Sequence, residues 1–210
     1  MKKVKLLLTL WGLMVCMVAC GGTNKDTSTE AASVGTETAS TEEEKHYSLD
    51  AKCIWFETLE EMEDYSELIV RVVRLDEEET MITTVDGEMV SGFTFSQVEI
   101  KEIYQDTAER YSVGDKVTVL ENEVYDENKN VVYHIAGYNM MEVGKEYLLF
   151  LHYAEANGSE YYVASGVNEG TISLENDDRQ KTYTDELGNA TGDFSIYEDI
   201  WAEALEKYIP

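Results

Sequence analysis

Met81-Ile82-Thr83-Thr84-Val85-Asp86-Gly87-Glu88-Met89-Val90 sets two β-favouring runs on either side of Asp-Gly, and its reading decides the fold. Asp-Gly between alternating apolar residues is the strongest short-range signal for a β-hairpin. Upstream, Leu68-Ile69-Val70-Arg71-Val72-Val73-Arg74 is β-branched and half alternating, as in a strand with one face in a core. Downstream, a long strand is predicted from about Phe93 to Tyr104. Its apolar residues Phe93, Phe95, Val98, Ile100 and Ile103 change phase between Phe95 and Val98 and again after Ile100. Such slips predict a bulge or strong curvature, as barrels require.

The same grammar repeats outward. Val113-Gly114-Asp115-Lys116-Val117 and Val143-Gly144-Lys145-Glu146-Tyr147 are related turns, each with a glycine suited to positive φ. They launch predicted strands from Val117 to Val124 and from Tyr147 to Tyr153. Asp126-Glu127-Asn128-Lys129-Asn130 makes a hairpin loop into Val131 to Ile135, and Ala156-Asn157-Gly158-Ser159 turns the chain into Tyr161-Tyr162-Val163-Ala164. A last strand is expected at Thr171 to Leu174. Thr58 with Glu61 is a capping box for a short helix from about Leu59 to Ser66, with Leu59, Met62 and Tyr65 on its core face. Ser195 with Glu198 repeats the pattern before Ile196, Ile200, Ala204, Leu205 and Tyr208. That spacing predicts a C-terminal amphipathic helix packed on the sheet, carrying Trp201 with it. Seven or eight short strands with a small helical share predict a mainly β fold, a closed or nearly closed antiparallel barrel.

The succession Thr-Leu-Glu-Glu, Ser-x-Leu-Ile-Val, Val-Gly-Asp-Lys-Val-Thr-Val, Val-Gly-Lys-Glu-Tyr-Leu-Leu-Phe-Leu and Tyr-Tyr-Val-Ala-Ser-Gly, over residues 58–174, resembles a family of uncharacterised small β-barrel lipoproteins and surface proteins of Gram-positive bacteria. The resemblance implies an OB-like barrel. Its motifs are turns and core strands, so it brings no catalytic residues with it.

The N-terminus supplies an address. Lys2, Lys3 and Lys5 precede an apolar run from Leu6 to Ala19, shorter than the roughly 20 residues a membrane helix needs, and Cys20 follows at once. Val18-Ala19-Cys20, with Met17 before it, resembles the lipobox of bacterial lipoproteins; Cys16, behind the bulkier Val15, is the rival position. The resemblance implies a signal peptide over residues 1–19, diacylation of the Cys20 sulfur and a chain tethered to the extracytoplasmic face of a membrane. Residues 20–50, rich in Thr, Ser, Glu, Ala and Gly, read as a disordered tether, and residues 51–210 as one barrel domain with its C-terminal helix.

The full chain carries a net charge of −27, and loss of the three signal lysines takes it to −30. That balance repels phosphate and excludes nucleic-acid partners. Of the three cysteines only Cys53 stays free once the signal is removed and Cys20 is acylated, so no internal disulfide is expected; in Lys52-Cys53-Ile54-Trp55-Phe56 it reads as a small buried hydrophobe. His46, His134 and His152 are too few for a multi-histidine metal centre, and no nucleophile elbow, Ser-x-x-Lys motif or phosphate loop occurs. No cofactor is implied. Asp126, Asn128 and Asn130 alternate as calcium-loop oxygens do, but Val131 and Gly137 stand where an EF-hand needs glycine and glutamate. Asp177, Asp178, Asp185 and Asp193 form a looser acidic stretch. Tyr133, Tyr138, Tyr147, Tyr153, Tyr161 and Tyr162 lie on or near strands, where aromatics stack sugars or peptides, and Tyr133, Tyr161 and Tyr162 are the candidate ligand contacts. The function expected is a non-enzymatic binding module for an envelope polymer or surface protein. The alternatives are a cell-envelope hydrolase using acidic residues and a calcium-dependent adhesion module.

Overall fold

The computed structural model describes residues 44–156, 158–175 and 197–210. All belong to the unit Thr41–Pro210; the unit Met1–Ser40, with the expected signal and Cys20, lies outside the described residues, as does the acidic stretch from Asp177 to Asp193. In chain order the elements are β1 (Lys45–Leu49), α1 (Leu59–Tyr65), β2 (Leu68–Val85), β3 (Glu88–Asp106), β4 (Lys116–Glu121), β5 (Glu123–Asp126), β6 (Val131–Ile135), β7 (Glu146–Ala156), β8 (Ser159–Ala164), β9 (Thr171–Ser173) and α2 (Glu198–Tyr208). The protein is mainly β.

Asp86 and Gly87 both take positive φ, 53° and 84°, and join β2 to β3 in the expected hairpin. The two runs expected as separate strands are one 18-residue strand, β2. One sheet has the order β2-β3-β4-β8-β7-β9, and β2 also pairs with β7; β4 and β8 run parallel, and the other neighbours antiparallel. A second sheet has the order β1-β6-β5, with β1 parallel to β6.

β1 corrects the expected boundary of the tether at residue 50. Its backbone takes up the free edge of β6, and its side chains stack there: Tyr47 on Tyr133, ring centroids 5.9 Å apart, and His46 on His134 at 5.2 Å. His134 Nδ1 faces the Tyr138 carbonyl oxygen at 2.9 Å and therefore donates, leaving Nε2 to accept from His46 Nδ1 at 2.9 Å. Glu123 Oε2 lies 3.0 Å from the same His134 Nδ1.

Two apolar clusters sit on the two faces of the main sheet. Leu68, Val70 and Val72 of β2, Val98 and Ile100 of β3, Val117 and Val119 of β4, and Tyr147, Leu149 and Leu151 of β7 form the inner cluster. The alternate residues Ile69, Leu148 and Phe150 point the other way, into a cluster with Phe56, Leu59 and Met62 near α1 and Ile200 and Ala204 of α2. β7 is thus buried on both faces, which explains its unbroken run Leu148-Leu149-Phe150-Leu151.

Thr58 Oγ1 accepts from Glu61 N at 3.2 Å, as the capping box predicts, while Glu61 Oε2 takes the Glu57 N–H at 2.9 Å. Tyr65, expected in the core, is 38 % exposed and rests edge-on against His152. α2 packs on the sheet, but its N-cap is Tyr197, whose side chain does not cap the helix; Ser195 lies outside the described residues.

A polar seam enters the core at one end. Glu121, fully buried, accepts from Met141 N at 2.7 Å, Tyr138 Oη at 3.0 Å, Ser96 Oγ and the Arg74 Nε at 3.4 Å. Burial pushes the Glu121 carboxyl above its ordinary range, and these four donors pull against it. Arg74 is itself buried and reaches Glu78 at 2.6 Å.

Candidate functional site

The site follows from one irregularity. Opposite β3, the register of β2 jumps from Arg74↔Val98 to Glu78↔Ser96, so Leu75, Asp76 and Glu77 outnumber the single residue facing them. Such a bulge bends the strand outward. It lifts Glu77, Glu78 and Glu79 over the outer face of the sheet, where Phe95 and Gln97 of β3, Thr118 of β4 and Ser159, Glu160 and Tyr161 of β8 complete a groove of about 390 Å³. The volume lies within the ~300–1,000 Å³ typical of small-ligand sites.

Its floor is aromatic and its rim acidic. Phe95 and Tyr161 pack with ring centroids 5.1 Å apart, and Phe93 meets Phe95 edge-on at 5.1 Å. Gln97 Nε2 donates to Thr118 Oγ1 at 2.8 Å. Three of the four glutamates are engaged: Glu77 with Lys116 at 2.6 Å, Glu78 with Arg74, and Glu160 as acceptor from Tyr153 Oη at 2.8 Å. The Glu79 carboxylate is exposed.

Of the three tyrosines expected to bind ligand, only Tyr161 lines this groove. Tyr162, its neighbour in a strand, points to the opposite face and lies in the inner core at 4 % exposure, and Tyr133 belongs to the second sheet. Tyr138 and Tyr147 are core residues, and Tyr153 carries Arg110 over its ring at 4.6 Å. Phe95, not among the candidate ligand contacts, also lines the groove, and the sequence carries its signal. Burial alternates without a break from Thr94 to Ile100, with Thr94, Ser96, Val98 and Ile100 inside, so the phase change at Phe95 marks aromatics moved to the outer face. The register slips are real as well, but the extra residues opposite this point are on β2.

The calcium-type oxygens serve their own hairpin. Asp126 Oδ1 accepts from Asn128 N at 3.1 Å, and Asn130 Oδ1 from Tyr125 Oη at 2.9 Å. Among the described residues no group of three or more His, Cys, Asp or Glu side chains is placed to hold a metal ion. Cys53, expected buried, is exposed; partial desolvation and then the Glu169 carboxylate raise its thiol, the opposite of an activated nucleophile. Glu169 is 2 % exposed, accepts the Phe56 N–H at 3.3 Å, and is pushed up to about 7 by burial. Trp201 donates from Nε1 to the Glu169 carbonyl at 2.9 Å, tying α2 to the turn between β8 and β9. Among the described residues no helix is long and apolar enough to cross a membrane.

No protein-family model matches this sequence, and no curated protein does.

Proposed function

We propose that the chain is a lipid-anchored extracytoplasmic lipoprotein whose OB-like barrel binds, without catalysis, a basic segment of another envelope protein in the groove between Glu79, Phe95 and Tyr161. The observation that carries the reading is the groove itself. Two packed rings offer apolar and π-face contact, and a rim of glutamates on a chain of net charge −27 favours ammonium and guanidinium groups over anions. The sequence of pairings β2–β3, β3–β4, β4–β8, β8–β7 and β7–β2, with β4 and β8 parallel, supports a five-stranded closed barrel of the OB type. Such barrels bind ligands on the face of their second and third strands, beside the loop joining the last two. Those positions correspond to β3, β4 and the β7–β8 turn, where the groove lies. The lysines before Leu6, the apolar run to Ala19 and the cysteine at position 20 support the anchor.

The experiment is a cross-linked pull-down from envelope extract with the full chain and its Tyr161→Ala and Glu79→Lys variants. A partner recovered by the parent and lost in both variants is expected, together with mass-spectrometric detection of acylated Cys20. A partner retained by both variants places the contact off the groove and overturns the reading.

A further inference from the structure

A second concavity, of about 540 Å³, lies between the end of β1, the segment leading to α1, the turns after β6 and β8, and the start of α2. Three observations set it apart. Trp55, on its wall, is 57 % exposed, and meets the Tyr197 ring edge-on at 5.6 Å. Asn168, also lining it, is only 4 % exposed. Its Nδ2 donates to the Ala136 carbonyl at 3.0 Å, while among the described residues its Oδ1 has no hydrogen-bond partner. A buried amide oxygen left without a donor costs about 1–3 kcal/mol. Asp50, Ser48, Cys53 and Tyr197 are the other lining residues with polar side-chain groups.

The chemistry of the missing partner follows. Asn168 Oδ1 and the Asp50 carboxylate are acceptors, so the ligand must bring several donors. The indole face of Trp55 asks for a flat apolar surface against it. Anions are opposed by the charge of the chain and have no donors to offer. A pyranose ring meets both demands, with hydroxyl donors at its rim and C–H bonds on its face. We infer that this cleft binds a neutral sugar, a mono- or disaccharide unit of a glycan, with Trp55 as platform and Asn168 and Asp50 as hydroxyl acceptors. It shares none of its lining residues with the groove of Phe95 and Tyr161.

Calorimetric titration of the full chain, held in a zwitterionic detergent free of sugar, tests this with chitobiose, cellobiose and maltose as probes. At least one is expected to bind saturably below ~10 mM, in the range of a weak small-ligand site. Trp55→Ala, at an exposed position that leaves the core intact, is expected to weaken it about tenfold, the scale of a lost aromatic contact. Asp50→Asn is expected to weaken it less, and Tyr161→Ala to leave it unchanged. No saturable heat from any of the three sugars overturns the inference, as does binding that survives Trp55→Ala. Binding reproduced by tetramethylammonium and abolished by high salt overturns it too, in favour of a cation cage. Loss of sugar binding in Tyr161→Ala denies the second site its independence, whereas failure of the groove's pull-down leaves this titration untouched.

Discussion

Replacing Arg74 by Met removes the only cation among the described residues that touches Glu121 and leaves a carboxylate with no exposed surface in the core. Stranding one member of a buried ion pair costs about 3–5 kcal/mol. A fall of ~4 kcal/mol at a urea slope of ~2 kcal/mol/M moves the unfolding midpoint down by about 2 M. The loss also depends on pH, and its sign is fixed. Burial already raises the Glu121 carboxyl, and taking away the guanidinium raises it further. The folded variant then keeps a proton that the unfolded chain releases near 4.5. Stability is therefore fullest below that value and declines as pH rises toward the folded-state pKa, by up to ~1.4 kcal/mol for each unit of added shift. Urea unfolding of the chain followed by circular dichroism at pH 5 and pH 8 reads both effects. Adding Glu121→Gln keeps an acceptor for Met141 N, Tyr138 and Ser96 and removes the charge, so the double variant regains more than half of the loss and its pH dependence disappears. A single-variant loss below ~1 kcal/mol, or an equal loss at the two pH values, refutes the account of the seam as a charge held in place by its partner.

Gly170→Ala sets a Cβ 2.5 Å from Ser165 O, 2.7 Å from Ser165 N and 2.8 Å from Phe150 O, all backbone, and costs about 3 kcal/mol in thermal unfolding; a loss under ~1 kcal/mol is incompatible with that crowding. Thr58→Ala removes the cap of α1 and lowers stability by about 1 kcal/mol, whereas Thr58→Ser retains it, as parallel melts will show. Acid loosens β1. Burial, and then the charge of His134, lower the pKa of His46, so the stability this contact contributes is present above about 6.5 and is lost as pH falls below it. Amide NMR signals from Lys45 to Leu49 should shift or broaden between pH 7 and pH 5 before those of β7 respond, and His46→Phe should abolish that early change; a β1 that holds as firmly as β7 at pH 5 contradicts it.

Where one face of an element is wet, its residues announced themselves. The Asp86-Gly87 hairpin, the capping of α1 and the helical spacing of Ile200 and Ala204 all depend on local geometry, which side-chain type records directly. β1 escaped because a short, half-polar strand added in parallel to β6 is held by backbone ladders and two ring stacks with residues some 86 positions away, measured from Tyr47 to Tyr133. Cys53 is exposed in spite of its apolar setting because its neighbours Ile54 and Trp55 are themselves exposed, at 48 % and 57 %. Tyr161 and Tyr162 could not be separated by composition, since adjacent strand residues face opposite ways and only the pairing of β8 decides which one faces the core.

The same alternation confines where a ligand can sit on the main sheet. The inner face is filled by the cluster around Val70, Val98 and Leu149, and the outer face of β2, β7 and β9 is roofed by Met62 of α1 and Ile200 and Ala204 of α2. What stays accessible is the outer face of β3, β4 and β8, and there the strands carry Phe95, Gln97, Thr118 and Tyr161, none of them fully buried. Among the described residues no second layer covers these rings, and rings on an uncovered sheet face are an expense that core packing does not offset. Thr94 and Ser96 take the buried side of the same strand, so the sequence sets polar residues inside and aromatic ones outside over this short stretch of β3. Packing alone favours the reverse order. A partner bound at the proposed groove would supply the missing layer over Phe95 and Tyr161, and this local inversion is the strongest physical reason to look for one there.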